Sequence, residues 1–200
     1  MTISYPVGNN LYINLTNRCP CACTFCLRQN GPGVYGSDPL WLDHEPTYEE
    51  IITDLARRQL ADFGEIVFCG YGEPTERLDV LLQTARYLKA HNAPPIRINT
   101  NGLADLIWNR PTAPDLTGLI DTVSISLNAR DPETYLKLTR SRFGLPSFDA
   151  MLRFTRECTR YVPHVVMTVV DQVTTPEEQE ACRQLCTSLG ATLRVRPFES

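Results

Sequence analysis

The chain has 200 residues, 42% of them hydrophobic and 21% charged, with a formal net charge of −4. That is enough apolar material for one sizeable core, so a single domain spanning 1–200 is expected, and the acidic balance argues against a general nucleic-acid-binding surface. No apolar run reaches membrane-spanning length, and Met1-Thr-Ile-Ser-Tyr-Pro6 lacks the charged and apolar regions of a signal peptide, so a cytoplasmic protein without membrane contact is expected; its eight cysteines would stay reduced there and available to metal.

In chain order, the apolar run Leu11-Tyr-Ile-Asn-Leu15 reads as the first strand and leads into four cysteines, Cys19-Pro-Cys-Ala-Cys-Thr-Phe-Cys26. Cys19, Cys23 and Cys26 have the spacing C-x3-C-x2-C. Three thiolates converging from one loop, with no fourth ligand nearby, suit a 4Fe-4S cluster that leaves one iron open. The alternative is a structural zinc site, which normally takes four N or S ligands, often as two separated cysteine pairs. Cys23 and Cys26 supply half of that, with Cys69, His44 or Cys21 as candidates to complete it. Disulfides among neighbours this close would be strained. Cys21 lies where the spacing tolerates any residue and reads as a bystander. Residues 30–45 carry Gly, Pro, Asp and Trp without periodicity and read as an irregular segment, a candidate cover for the cysteine loop.

Thr47-Tyr-Glu-Glu50 forms a capping box, and Ile51, Ile52, Leu55 and Leu60 give a helical apolar face to about Ala61. Glu65-Ile-Val-Phe-Cys-Gly70 is a second strand, stopped by Gly70-Tyr-Gly-Glu-Pro74 and followed by a helix through Leu78, Leu81, Leu82, Ala85 and Leu88. Cys69 is expected to point into the core as a small buried thiol. Ile96 to Gly102 is the third strand and its turn, with a short irregular helix in parts of Leu103 to Leu119. Thr122 to Asn128 is the fourth strand; helical pattern then runs from Pro132 to Leu138 and from Phe148 to Tyr161, interrupted by Arg140 to Pro146. His164 to Asp171 is a fifth strand, Pro176 to Leu189 a helix closed by Gly190, and Thr192 to Pro197 a sixth strand. Cys182 and Cys186, four apart on one helix face, and Cys158 read as packing residues.

Strands alternating with helices imply parallel pairing through right-handed crossovers, in either an open doubly wound sheet or a curved partial barrel. In both, ligands sit at the carboxyl ends of the strands, where each unusual feature of this chain falls. Gly70-Tyr-Gly-Glu-Pro74 on its own reads as an ordinary strand-to-helix turn with Glu73 in the first helical turn, although glycine allows close backbone approach and a carboxylate can pair with a cation. Ser126 and Asn128 equally serve as caps and turn formers. Arg194 and Arg196 alternate on one face and could meet an anionic group, but paired surface arginines are commoner.

The cysteine loop, with Phe25 as the aromatic of C-x3-C-x-aromatic-C, resembles the radical S-adenosylmethionine (radical SAM) superfamily. The resemblance implies an α/β fold of six parallel strands, a (β/α)6 partial TIM-like barrel, a 4Fe-4S cluster on Cys19, Cys23 and Cys26, and S-adenosylmethionine chelated by the open iron and cleaved to a 5′-deoxyadenosyl radical. Gly70 to Pro74 resembles the superfamily's GGE(P) motif, with Tyr71 in place of the first glycine and Gly72 and Glu73 completing it. Thr100 and Asn101 resemble the strand-three end near the cofactor, and Ser126 and Asn128 the strand-four groups that bond ribose or methionine carboxylate. No catalytic side chain beyond these is assigned. A flavodoxin or ferredoxin is implied as electron donor. Asn17-Arg18 before the loop and Cys26-Leu-Arg-Gln29 after it are similar to the small TatD-associated members, implying a TatD-type nuclease as a candidate partner. Rival readings are a non-catalytic iron-sulfur or zinc protein, and, among enzymes, a glycyl radical enzyme activase, a peptide-modifying enzyme or a 7-carboxy-7-deazaguanine synthase-like protein. Relatives with auxiliary clusters place extra cysteines beyond the barrel; here Ser200 closely follows Arg196, so one cluster per chain is expected.

Overall fold

The computed structural model describes residues 1–33 and 36–198; Val34 and Tyr35, inside the irregular segment proposed as a cover, lie outside the described residues, as do Glu199 and Ser200. Its strands are β1 (Ser4–Val7), β2 (Asn10–Ile13), β3 (Glu65–Phe68), β4 (Ile96–Thr100), β5 (Thr122–Ser126), β6 (His164–Val170) and β7 (Thr192–Arg196), and they form one sheet in sequence order. Strands β2 to β7 pair in parallel, and β1 pairs antiparallel to β2. Each crossover therefore returns to the adjacent strand, and right-handed connections of that kind put every helix on one face. A doubly wound sheet would reverse its order partway. The sheet curves instead, since Tyr5 and Tyr12 at one edge and Arg194 and Arg196 at the other line a common cavity. This is the expected partial barrel.

The expected six parallel strands are present, and β1 is a seventh that the sequence reading missed. Pro6 weakens the strand signal of a four-residue run and is tolerated because β1 is an edge strand. Gly8, at φ 56°, turns the hairpin in the left-handed region.

Helices α1 (Tyr48–Leu55), α2 (Leu78–Ala90), α3 (Ala104–Trp108), α4 (Pro132–Thr139), α5 (Pro146–Tyr161) and α6 (Pro176–Leu189) follow the sequence pattern closely. Helix α1 starts at the capping box, with Thr47 and Glu50 bonded reciprocally. It ends at Leu55, short of Ala61, where the Arg58 guanidinium donates to the Ser4 carbonyl at 2.8 Å and draws the chain toward β1. A second capping box, Thr175 with Glu178, starts α6, and Gly190 ends it at φ 79°. None of the described helices is long and apolar enough to cross a membrane.

The two faces of the sheet differ in chemistry. Leu11, Ile13, Ile66, Phe68, Ile98, Ile125 and Met167 point to the helices and are at most 1% exposed, packed with Leu55, Leu81, Met151 and Phe154. Full burial of each such side chain stabilises by about 1.5–3 kcal/mol. Cys158, Cys182 and Cys186 lie in this core, as expected of packing residues. The opposite face carries Asn99, Ser124, Ser126, Thr168, Arg194 and Arg196, which line open space. A closed eight-stranded barrel fills that space with branched apolar side chains; this one keeps a polar chamber.

Candidate metal centre and cofactor pocket

The cysteine loop leaves β2 and is strapped to the far side of the barrel mouth. Ala22 N–H donates to Thr139 O and Thr24 N–H to Leu138 O, both at 2.9 Å, and Arg142 N–H donates to Pro20 O at 2.9 Å. These carbonyls and the amide belong to the end of α4 and the turn after it, where Arg140 takes the left-handed conformation at φ 48°. The irregular break after α4 thus supports the loop.

Cys19, Cys23 and Cys26 are partly exposed and Cys21 is buried. Hydrogen bonding with Cys21 holds the Cys19 and Cys23 thiols below the usual cysteine value against burial, and the same bonds raise Cys21. Burial pushes Cys26 up. Lowered thiol values favour thiolate, the form that binds iron. Among the described residues, no three His, Cys, Asp or Glu side chains are grouped around a single ion. A cubane asks for something different, because its cysteines each bind a separate iron.

The glycine turn after β3 lies against this loop. A Cβ on Gly72 would stand 2.2 Å from the Thr16 carbonyl oxygen and 2.6 Å from that of Arg18, and one on Gly70 would stand 2.0 Å from Asn14 Oδ1. Only glycine permits such approach. It lets Glu73 N–H donate to Arg18 O at 2.8 Å. Tyr71 turns away, donating from its hydroxyl to Gly31 O at 2.7 Å and meeting Trp41 edge-on, so it anchors the described parts of the irregular segment. Asn14 adds to that anchoring, donating to Leu40 O at 2.7 Å.

Glu73 is 4% exposed. Its Oε1 accepts from Thr75 N–H, Thr75 Oγ1 and Thr100 Oγ1, and its Oε2 from Asn101 N–H at 2.7 Å. Burial pushes this carboxyl up while the four hydrogen bonds pull it down. The side chain ties the β3 turn to the end of β4, and Oε2 retains lone-pair capacity for a further donor. Asn101, fixed by that tie, directs Nδ2 at the Cys19 and Cys21 sulfurs, at 4.0 and 3.9 Å.

Together these groups line a cavity of about 210 Å³ at the carboxyl ends of the strands, with Cys19, Cys23, Cys26, Gly70, Tyr71, Gly72, Glu73, Thr100, Asn101, Ser126 and Asn128 all on its wall. These are the eleven positions that the family resemblance assigns to the cluster and the cofactor. The wall also holds Tyr135 and Thr168, which sequence reasoning missed; a helix tyrosine at core spacing and a threonine in a β-branched strand carry no signal of their own. Two buried polar atoms on this wall, Asn128 Oδ1 and the Tyr135 hydroxyl, have no hydrogen-bond partner among the described residues. Asn128 is moreover held at φ 61°. A buried group without a partner is costly, so both atoms fit a polar ligand such as S-adenosylmethionine, and three thiols on one wall fit a cluster.

Two expectations need correction. Cys69 does not point into the core: Phe68 takes that side of β3, and alternation sends Cys69 to the cavity wall. Arg196 is not a surface arginine: it is half-buried, with Nε shielded from solvent, and lines the polar chamber from β7; Arg194 lines the same chamber but is exposed, as expected of a surface arginine.

A model of the radical SAM superfamily matches residues 13–185. GTP 3′,8-cyclase from Streptomyces coelicolor is 30% identical over 67% of this chain and 37% of its own length. GTP 3′,8-cyclase from Corynebacterium glutamicum is 31% identical over 94% and 48%. The chain thus spans less than half the length of these curated relatives. Streptococcus suis SuiB bound to S-adenosylmethionine shares the fold, with a TM-score of 0.67 at 16% identity over 96% of this chain and 41% of that one. The superfamily's cofactors are a 4Fe-4S cluster and S-adenosylmethionine, which is what the thiol loop and the polar cavity beside it fit. On its cysteine loop, its fold and these matches, the chain belongs to the radical SAM superfamily.

Proposed function

We propose that this chain is a radical SAM enzyme in which Cys19, Cys23 and Cys26 hold one 4Fe-4S cluster and Glu73, Asn101, Ser126 and Asn128 seat S-adenosylmethionine for hydrogen abstraction from a substrate in the polar chamber. The observation that carries it is one wall shared by the three thiols, the glycine turn and two buried polar atoms that lack partners among the described residues. When bound and reduced, the cluster supplies the electron that cleaves S-adenosylmethionine to a 5′-deoxyadenosyl radical.

The protein's own residues do the rest. Gly72 brings the β3 turn onto the cysteine loop, so that the backbone there meets the methionine ammonium. Glu73 holds Asn101 in place through its Oε2 and offers the remaining lone pair to that ammonium. Asn128 Oδ1 and the Tyr135 hydroxyl accept and donate to the ligand's hydroxyl and carboxylate groups. The described irregular segment is pinned by Tyr71, Asn14 and Asn17 and contributes Leu40 to the wall of the chamber. A flavodoxin or ferredoxin fits as electron donor, and a TatD-type protein as a partner rests on the residues flanking the cysteine loop. The Streptomyces and Corynebacterium relatives are named for GTP, and hydrogen abstraction is the step common to the superfamily.

Anaerobically reconstituted protein with dithionite should convert S-adenosylmethionine to 5′-deoxyadenosine and methionine, slowly, without added substrate. Absence of 5′-deoxyadenosine from a fully clustered preparation would favour the non-catalytic rival.

A further inference from the structure

Beside the cofactor pocket lies a larger cavity of about 420 Å³, inside the curve of the sheet. Three guanidinium groups reach it from strands that are not neighbours: Arg97 from β4, and Arg194 and Arg196 from β7. Only the curvature of the barrel brings them together. Their charge is poorly balanced. Arg97 is paired with Glu65, Nε to Oε2 at 2.9 Å, and donates to Asn99 Oδ1 at 2.9 Å. Among the described residues, Arg194 and Arg196 form no ion pair, and Arg196 Nε is buried without an acceptor. One carboxylate against three guanidinium groups leaves two positive charges in a half-enclosed chamber.

Burial lowers Arg194 from the ordinary guanidinium value, and the Arg97 and Arg196 cations lower it further. Arg194 itself stands at the exposed side of the cavity, so the cost of gathering these cations falls on Arg97, 7% exposed, and on the half-buried Arg196, and an entering anion relieves it. Guanidinium groups are also the side chains best matched to two oxygens of one phosphate or carboxylate.

We propose that this cavity is the substrate subsite, and that it recognises a metabolite-sized molecule through an oxyanion, phosphate or carboxylate, held by Arg194 and Arg196 with Arg97 opposite. The assignment to substrate rests on the radical SAM reading above; the anion site itself does not. Arg194, Arg196, Cys69 and Gly70 line both cavities, so a molecule anchored here extends toward the place where the radical would form. The competing source of the same chemistry is the carboxylate of S-adenosylmethionine. Arg97 separates the two, because it lines the larger cavity and not the cofactor pocket.

The test uses the anaerobically reconstituted 200-residue chain, with inorganic phosphate and succinate as probes. Melting temperature is titrated at constant ionic strength against chloride, which yields an apparent Kd from ligand-linked stabilisation. At least one probe should stabilise saturably, and Arg194→Gln, Arg196→Gln and Arg97→Gln should each weaken that probe about tenfold, the worth of one charge-assisted contact. Arg194→Lys should recover part of the loss. Because Arg97→Gln also frees Glu65, the two β7 variants carry the test if it does not fold. Saturating S-adenosylmethionine should leave the probe's Kd within about twofold, since the two sites are filled together. No saturable effect beyond chloride, or equal binding in the arginine variants, overturns the proposal. Displacement of the probe by S-adenosylmethionine also overturns it, assigning the arginines to the cofactor. Iron content and S-adenosylmethionine binding are measured on the same preparations. Probe binding without either would sink the radical SAM reading and leave the anion site standing; cluster and cofactor binding without probe binding would do the reverse.

Discussion

Gly72→Ala should uncouple the glycine turn from the cysteine loop. The added Cβ would sit 2.2 Å from Thr16 O and 2.6 Å from Arg18 O, and both are backbone atoms that cannot rotate away. Restoring ordinary contact requires a shift of about 1 Å, which stretches the 2.8 Å bond from Glu73 N–H to Arg18 O past useful length. Overpacking of this kind costs about 1–3 kcal/mol, and leaving a buried amide without a partner costs about as much again. Taking about 4 kcal/mol in total, a chain of this size should melt roughly 8–16 °C lower. The assay is thermal unfolding of the apoprotein by circular dichroism, with Gly31→Ala as control, since a Cβ there would meet only Gly33 O at 4.0 Å. The reconstituted variant should also bind S-adenosylmethionine more weakly. Melting and cofactor binding equal to wild type in Gly72→Ala would refute the close approach and the role drawn from it.

Cys19→Ala, Cys23→Ala and Cys26→Ala should each abolish the cluster by iron and sulfide analysis, whereas Cys21→Ala should retain its charge-transfer absorption; the reverse pattern would show the ligand set misread. Glu73→Gln places an amide against Asn101 N–H, so it should lose about 1.5–3 kcal/mol of stability and bind S-adenosylmethionine about tenfold more weakly with the cluster intact. Unchanged cofactor binding in a dialysis assay would remove Glu73 from the site. Tyr71→Phe deletes the 2.7 Å bond to Gly31 O and should cost about 1 kcal/mol, read by urea unfolding, together with faster proteolysis within residues 27–45 and no change in iron content.

Much of this architecture is written in the strands themselves. The β-α alternation gives the element order, and the carboxyl-end rule gathers the cysteine loop, the glycine turn, Asn101 and Asn128 before any coordinate is known. The hairpin strand β1 is hidden because Pro6 and Gly8 carry turn chemistry that an edge strand tolerates. The end of α1 is hidden because Arg58 bonds to Ser4, more than fifty residues away, and no local pattern reports that. Arg97 escaped for a more instructive reason. Ile96-Arg-Ile-Asn-Thr100, Thr122-Val-Ser-Ile-Ser126 and Thr192-Leu-Arg-Val-Arg196 all alternate polar with apolar residues. Parallel strands buried on both faces run continuously apolar, so this alternation is the sequence signature of a hollow, polar barrel. With that pattern in view, Arg97, Arg194 and Arg196 fall on the inner face together.

The central claim, three thiolates on four irons with the remaining iron open to S-adenosylmethionine, is tested most directly by Mössbauer spectroscopy of ⁵⁷Fe-reconstituted protein. One cluster per chain should give about four irons, and on adding S-adenosylmethionine one iron in four should change its isomer shift while three stay constant. The Cys19/Cys23/Cys26 triple alanine variant should hold no cluster. Four irons that remain alike with and without S-adenosylmethionine, or a defined cluster in the triple variant, would contradict the account.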